Sequence, residues 1–195
     1  MTLKGKNVGF AFTGSHCTMD KVMPYLKGIV IEGAEVFPIF STAVCQTDTR
    51  FGDAKKWLAQ VESITGRTPI STIVEAEPIG PQGFLDVMVI APCTGNTLAK
   101  LTNGITDGAV LMAAKAHLRN KKPLVLAIST NDGLGFNAKN IGIAINTAHI
   151  YLVPFGQDNP EEKSNSLVAM MQHLPETIEQ ALSGKQIQPM LIQYK

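Results

Sequence analysis

The chain has 195 residues, of which 45% are hydrophobic and 17% are charged. This composition is typical of a globular domain, and a chain of this length can bury a core without disulfides or a structural metal. Its 17 Lys and Arg residues against 16 Asp and Glu residues leave a formal charge of +1. This charge indicates no basic face for nucleic acid or an anionic membrane, so we expect neither of them as a partner. From the length and composition we expect a single domain, residues 1–195.

The cysteines and the amino-terminal residues favour a cytoplasmic protein. Cys17, Cys45 and Cys93 are widely spaced and form no CxxC pair, so they fit neither a disulfide framework nor a zinc site, and no metal is predicted. The first apolar run, residues 8–12, is too short for a signal peptide or a membrane span.

Short apolar runs alternate with turn residues and helical stretches, which is typical of a parallel α/β sheet. In chain order, the pattern predicts strands at residues 8–12, 36–40, 85–91, 124–128 and 150–153. It predicts helices at about 19–32, 54–64, from near 97, at 109–120 and through 164–183, the last interrupted by a proline. Pro38 lacks an amide donor, so we expect the second strand to lie near an edge or to tolerate a gap in its ladder.

The segment from about 43 to 83 interrupts this alternation. It combines a polar run, one predicted helix and a tail rich in Pro and Gly. We interpret it as an insertion, and long insertions of this kind are more often binding loops or oligomer contacts than linkers. The last residues, 187–195, are expected to dock on the body of the protein or on a neighbour.

Small hydrogen-bonding residues follow four of the predicted strands. The carboxyl ends of strands in an open parallel sheet line one crevice, where helix amino termini point free N–H groups at a ligand. Hydroxyls and amides in such a place, rather than lysines or a metal, indicate a phosphomonoester cradle of the FMN type. The residues predicted to bind the cofactor are Gly14, Ser15, Ser41, Thr42, Pro92, Thr94, Asn96, Thr97, Ser129 and Thr130.

Two other interpretations of these loops are NAD binding and helix capping without any ligand. The GxGxxG fingerprint is absent and no acidic residue closes a strand where a ribose would bind, which argues against ordinary NAD binding. Ser, Thr and Asn are also the commonest helix caps, so the same residues are compatible with loops that bind nothing.

Three segments resemble the signature loops of a superfamily of homo-oligomeric flavoproteins. They are TGS at residues 13–15, APCTGNTLAKL at 91–101 and GITD at 104–107. That superfamily includes peptidyl-cysteine decarboxylases, phosphopantothenoylcysteine decarboxylase and flavin prenyltransferases. Within it, almost the whole chain resembles the B-subunit family of dipicolinate synthases from spore-forming bacteria, through GSHCT (14–18), TRFG (49–52), STND (129–132) and PFGQD (154–158).

This resemblance implies a Rossmann-like fold, an open parallel sheet with helices on both faces in three α/β/α layers. It also implies bound FMN and homo-oligomers built on trimers. The activity that it implies is oxidation of dihydrodipicolinate to dipicolinate, pyridine-2,6-dicarboxylate, with a nucleotide-binding A subunit during sporulation. By the same resemblance, residues 14–15 and 41–42 lie on the phosphate side, residues 94–97 contact the flavin and residues 129–130 complete the crevice.

Two departures from the superfamily bear on the alternatives. Its decarboxylases carry Pro-x-Met-Asn after the fourth core strand, where this chain has Ser129-Thr130-Asn131. Residues 122–126 resemble the flavin prenyltransferases, but Ser129-Thr130 replaces the Arg-Glu of that family and removes a cation expected on the prenyl phosphate. A prenyltransferase or a decarboxylase-like flavoprotein is therefore the first alternative, and a non-catalytic, flavin-holding scaffold for the A subunit is the second.

Arg50 and His16 are the catalytic candidates for a dicarboxylate substrate. Arg50, in the insertion, would bind the carboxylates as a bidentate fork; the alternative is an exposed arginine or an intersubunit salt bridge. His16 lies at a predicted helix start, where the neutral imidazole is favoured, and would accept the proton lost as the ring aromatises; the alternative is a capping or packing histidine. Lys100 would face phosphate, ring or solvent.

Overall fold

Seven strands form one mixed, mostly parallel sheet in the computed structural model, which describes residues 3–193. The prediction of a Rossmann-like α/β fold is confirmed, with a small antiparallel addition. The strands are β1 (Asn7–Phe12), β2 (Glu35–Phe40), β3 (Val87–Cys93), β4 (Leu124–Thr130), β5 (Ile150–Leu152), β6 (Phe155–Gly156) and β7 (Leu167–Ala169).

The order of the strands places a topological switch point at the centre of the sheet. β1 pairs in parallel with β2 on one side and with β3 on the other, and β3 pairs in parallel with β4. The chain thus leaves β1 toward one edge and later returns to extend the sheet in the other direction. Ligands of open α/β sheets bind in the crevice outside the carboxyl ends of the strands at such a point.

The helices pack around this sheet. In order they are α1 (His16–Ile31), α2 (Thr42–Gln46), α3 (Ala54–Thr65), α4 (Ile73–Ala76), α5 (Ile79–Gln82), α6 (Gly95–Thr102), α7 (Ala109–Arg119), α8 (Ala138–Asn146) and α9 (Leu174–Leu182), with a short 3-10 turn at Met171–His173. No helix in the described part of the chain is long and apolar enough to span a bilayer.

The central elements follow from their side-chain patterns. In α1, Val22, Leu26 and Ile29 are buried, and their helical spacing places them on the one face that packs on the sheet. All residues of β3 are buried, as expected for a strand that is covered on both faces. β2 is an edge strand, as its Pro38 predicts. The backbone of Ile70 donates one hydrogen bond to the outer side of β2 and accepts another from it.

Two sequence-based expectations, the helix through 164–183 and the purely parallel sheet, are corrected. The tail at 164–183 is not one interrupted helix, because β7 pairs antiparallel with the end of β4 and only α9 is helical beyond the 3-10 turn. Pro175 lies in the first turn of α9, where a missing N–H costs no helical hydrogen bond. The sheet is therefore not purely parallel, and α8 was not predicted.

The segment at 43–83 contains α3 to α5 and all of α2 but its first residue, and its status as an insertion in a single domain stays a prediction. The expected docking of the tail is observed for residues 187–193. Phe155 donates its N–H to the carbonyl of Met190 at 3.0 Å and accepts from Ile192 at 2.9 Å. The single-domain prediction includes residues 1–2 and 194–195 and the tail prediction includes residues 194–195, and these residues lie outside the described ones.

Candidate functional site

Two adjoining cavities open at the carboxyl ends of β1 to β4. They share Gly14 and Thr94 and thus form one trough across the switch point. Cavity one, of about 290 Å³, is lined by Gly14, Ser41, Thr42, Ala43, Thr94, Asn96, Thr97, Lys100 and residues 107–111. Cavity two, of about 520 Å³, is lined by residues 14–18, Lys21, Thr49, Phe51, Thr94, Gly95, residues 129–131, Asp158, Lys163 and Val168.

The trough brings together nine of the ten residues predicted to bind a cofactor. Pro92 is the exception, because it is buried in β3 and lines neither cavity. Its carbonyl accepts a hydrogen bond of 2.7 Å from Thr13 Oγ1, and Thr13 Oγ1 accepts one of 3.0 Å from the N–H of Thr94. These bonds tie the end of β1 to the end of β3 and hold the two loops of the trough together.

Ser41 lines cavity one and carries a buried hydroxyl. It precedes α2, yet its side chain makes no capping bond, and its Oγ has no hydrogen-bond partner among the described residues. A buried hydroxyl without a partner is costly. Thr94 differs, because its Oγ1 caps α6 by accepting from the N–H of Thr97 at 3.2 Å. An acceptor-rich group such as a phosphate would satisfy Ser41.

A close ion pair flanks cavity one. Lys100 Nζ lies 2.5 Å from Asp107 Oδ2, and Asp107 is half exposed. The hydrogen bond from Lys100 lowers the pKa of Asp107, so the carboxylate stays charged and holds the lysine at the wall of the cavity. Lys100 therefore faces the cavity and not only solvent.

A cluster of three hydroxyls lies in cavity two. Ser15 Oγ is 2.8 Å from Ser129 Oγ and 3.1 Å from Thr18 Oγ1, and the last two atoms are 2.9 Å apart. Ser15 precedes α1, Thr18 belongs to its first turn and Ser129 lies near the end of β4. We name these residues the hydroxyl cluster. Each hydroxyl can donate one proton and accept others.

His16 is the first residue of α1 and lines cavity two. Its Nδ1 is buried and has no hydrogen-bond partner within residues 3–193. The predicted position at a helix start is thus observed. A buried ring nitrogen without a partner is unusual, and it shows that the ring does not cap α1 through Nδ1.

Arg50 lies outside both cavities. Its side chain is exposed and its guanidinium carbon lies 4.9 Å from the centre of the Phe51 ring. Its neighbours Thr49 and Phe51 do line cavity two. The catalytic role assigned to Arg50 stays a prediction, and in this structure the guanidinium stacks on the outer rim.

The charged side chains that line cavity two are Lys21, Lys163 and Asp158. Lys163 Nζ lies 3.9 Å from Asp158 Oδ2, and both side chains are more than a third exposed. Lys21 makes no ion pair within the described residues. Sequence reasoning missed all three: Lys21 lies four residues after Cys17 on α1 and its spacing signals it, but no motif marks the loop of Asp158 and Lys163.

The cysteines near the trough differ in exposure. Cys17 is exposed and lines cavity two, whereas Cys93 is fully buried in β3. Burial raises the pKa of Cys93 to about 12, so it stays a thiol and is no nucleophile at neutral pH. Cys93 is therefore a packing residue of β3. No cluster of three or more His, Cys, Asp or Glu able to hold a metal occurs among the described residues.

The comparisons with known proteins agree with this geometry. The flavoprotein family model matches residues 1–162, and the chain belongs to the flavoprotein family. It is 52% identical over 192 residues to the B subunit of dipicolinate synthase from Bacillus subtilis (strain 168), a match that covers 98% of this chain and 96% of that protein. The resemblance noted in the sequence is thereby confirmed.

Solved structures extend the comparison. The crystal structure of the dipicolinate synthase B subunit from Bacillus halodurans superposes with a TM-score of 0.92 at 52% identity, with all of both chains covered. The FMN-dependent cysteine decarboxylase SpaF superposes with a TM-score of 0.62 at 18% identity over 92% of this chain and 98% of its own. At that identity the likeness to SpaF concerns the fold alone.

Proposed function

We propose that this chain is the FMN-binding B subunit of a dipicolinate synthase. With a nucleotide-binding A subunit, it would oxidise dihydrodipicolinate to dipicolinate during sporulation. The observation that carries this proposal is the 52% identity, over nearly the whole chain, with a protein named as the B subunit of dipicolinate synthase. The trough at the switch point supports it independently, because its lining suits a flavin phosphate.

Cavity one suits the phosphate end of FMN. Ser41 presents a buried hydroxyl without a partner in residues 3–193, and Thr42 begins α2 beside it. A Cβ on Gly14 would lie 3.1 Å from the Cβ of Ala43, so a glycine at this position lets the two loops approach closely. Asn96, exposed at the start of α6, would address the edge of the flavin ring with its amide.

The oxidation removes one hydride and one proton from the dihydropyridine ring. FMN, when bound, would supply the acceptor for the hydride. This chain would supply a base for the proton, and His16, which lines cavity two, is the residue that we propose for this role. Ser15 and Ser129, which the resemblance assigns to the cofactor, line cavity two and would here orient the substrate by hydrogen bonds from their hydroxyls.

The assembly that we propose is a trimer-based homo-oligomer that works with the A subunit in the cytoplasm. A fixed subunit partner is consistent with the name of the relative. The exposed apolar side chains Leu134 and Phe136, which are 51% and 87% exposed, are of the kind that contact between subunits would cover.

The first experiment is an FMN titration of the purified protein, followed by flavin absorbance and fluorescence quenching. We expect tight binding that weakens about tenfold in Ser41→Ala and in Asn96→Ala, since each loses a hydrogen bond to the cofactor. Ser63→Ala, at an exposed position of α3 outside the trough, is the matched control and should bind as the wild type does. No binding of FMN, with or without the A subunit, would contradict the assignment of the trough.

The same variants separate catalysis from a scaffold role. In the proposed enzyme, Asn96→Ala lowers the rate of dihydrodipicolinate oxidation while the complex with the A subunit persists on size-exclusion chromatography. A rate that is unchanged by loss of FMN binding would favour the scaffold alternative. A modified flavin formed from dimethylallyl phosphate, detected by mass spectrometry, would favour the prenyltransferase.

A further inference from the structure

We infer that cavity two is the subsite for the two carboxylates of the substrate, and that Lys21 and Lys163 are the residues that select a dianion. This inference rests on the proposed function and deepens it, because it names which residues meet the substrate. It differs from the prediction that Arg50 does so. Its basis is the charge, the hydrogen-bond donors and the walls of cavity two.

The charges that line cavity two favour an anion. Its lining includes two lysines and one carboxylate, that of Asp158. The Lys163–Asp158 pair spans 3.9 Å between exposed side chains, and such pairs are weak. Lys21 makes no ion pair in the part of the chain that the structure describes. Neither ammonium group is therefore held by a strong ion pair among the described residues, and two cations match the two carboxylates of a pyridine-2,6-dicarboxylate.

The hydroxyl cluster adds neutral donors to the same cavity. Its three oxygens lie within 3.1 Å of one another. Each hydroxyl can donate its proton either to another oxygen of the cluster or to a ligand in the cavity. A carboxylate only accepts hydrogen bonds, so it would draw one of these protons toward itself. The cluster can thus bind a carboxylate without leaving a buried hydroxyl unpaired when the ligand departs.

The remaining walls suit a flat ring. Phe51, on the rim, and Val168, in β7, both line cavity two, so apolar surface stands beside the polar floor. This combination of apolar walls and a few convergent polar groups is typical of small-molecule sites. The antiparallel addition to the sheet places Val168 there, because Ser129 of the hydroxyl cluster pairs with Val168 across β4 and β7.

Cavity one is the weaker candidate for the substrate. Its lysine, Lys100, already lies 2.5 Å from Asp107, so its charge is largely neutralised. Its volume of about 290 Å³ is also smaller than the roughly 520 Å³ of cavity two. We therefore assign the phosphate of the cofactor to cavity one and the carboxylates of the substrate to cavity two.

The test uses dipicolinate itself as the probe, measured by isothermal titration calorimetry in metal-free buffer, because this ligand chelates metals. We expect Lys21→Gln and Lys163→Gln each to weaken binding about tenfold, the effect of removing one charged hydrogen bond. Lys27→Gln is the matched control, since Lys27 is exposed on the same helix and does not line cavity two. Picolinate, with one carboxylate, should bind more weakly than dipicolinate and lose less in each variant.

Three outcomes would overturn the inference. The first is a failure of dipicolinate to bind at millimolar concentration both with and without FMN, and the second is binding to the two lysine variants that equals binding to Lys27→Gln. The third is weaker dipicolinate binding in Arg50→Gln alone, which would show that Arg50 is the cationic residue that binds the substrate. FMN titrations of the same variants keep the proposals apart: dipicolinate binding without FMN binding contradicts only the proposed function, and normal FMN binding with unaffected dipicolinate binding contradicts only this inference.

Discussion

His117, in the last turn of α7, is a titratable side chain held in the core. It is 1% exposed, and its Nε2 lies 2.9 Å from the carbonyl oxygen of Pro123. Because a carbonyl only accepts, Nε2 carries the proton of a neutral ring. Burial lowers the pKa of His117 from 6.5 to about 4. The pKa describes uptake of a second ring proton, which makes the imidazole cationic. The unfolded chain therefore takes up that second proton at a higher pH than the folded protein does.

We expect this difference to make the protein less stable as the pH falls from about 6.5 to about 4. Each unit of pKa difference corresponds to about 1.4 kcal/mol, so His117 alone would remove about 3 kcal/mol of unfolding free energy over that range. The measurement is urea unfolding of the wild type and of His117→Gln, whose amide still donates to Pro123, at several pH values. Identical losses in both proteins would show that His117 is not the cause.

Ser41 and Thr94 show what a sequence can and cannot reveal about single residues. Both follow strands of the sheet, and the sequence predicts both to face the crevice, as they do. It cannot tell which hydroxyl a helix uses as its own cap. Thr94 caps α6 while Ser41 is left unpaired among the described residues, and this difference depends on loop geometry that distant packing sets. Lys163 was missed because no motif marks its loop, whereas Lys21 lies four residues after Cys17 on α1 and could have been found from that spacing.

At the scale of elements, the turn at Thr49–Gly52 positions the rim of cavity two. Thr49 and Gly52 exchange backbone hydrogen bonds of 3.0 and 3.1 Å, which fixes the turn that carries Phe51. Gly52 has a φ of +146°, and a Cβ there would lie 2.9 Å from the ring of the fully buried Trp57. The indole thus packs directly under the turn, and α3 supports it.

We predict that Gly52→Ala destabilises the protein by about 3 kcal/mol, because backbone strain adds to a clash with a ring that has no room to move. Gly66→Ala is the control within the same segment. Gly66 has a φ of +67° but nothing within 4 Å of its added Cβ, so it should cost only about 1 kcal/mol. Equal losses in urea unfolding would mean that the Trp57 contact does not constrain the turn.

The elements that the sequence predicts best are those with long local patterns. The apolar runs of β1, β3 and β4 and the periodic faces of α1 and α7 lie within a few residues of their predicted bounds. β6 and β7 span only two and three residues, too few for any period to be visible. Their pairing with the end of β4 is a contact between distant parts of the chain, which a local pattern does not encode.

At the scale of the whole molecule, the trough depends on loops drawn from most of the chain. Its lining runs from Gly14 to Val168, and the loops meet only when β1, β2, β3 and β4 are assembled. A ligand of the trough therefore binds the folded state and not the unfolded chain. Such a ligand stabilises the fold in proportion to the logarithm of its concentration over its dissociation constant.

We predict that FMN at 100 times its dissociation constant adds about 2.7 kcal/mol to the unfolding free energy, which for a chain of this size raises the melting temperature by about 5 to 10 °C. Riboflavin, which lacks the phosphate, should raise it less, and Ser41→Ala should narrow the gap between the two flavins. Ser166→Ala is the matched control: Ser166 is likewise buried with an unpaired hydroxyl among the described residues, but lines neither cavity. Differential scanning fluorimetry or calorimetry measures these shifts, and an FMN-to-riboflavin gap that Ser41→Ala and Ser166→Ala leave equally intact would place the phosphate away from cavity one.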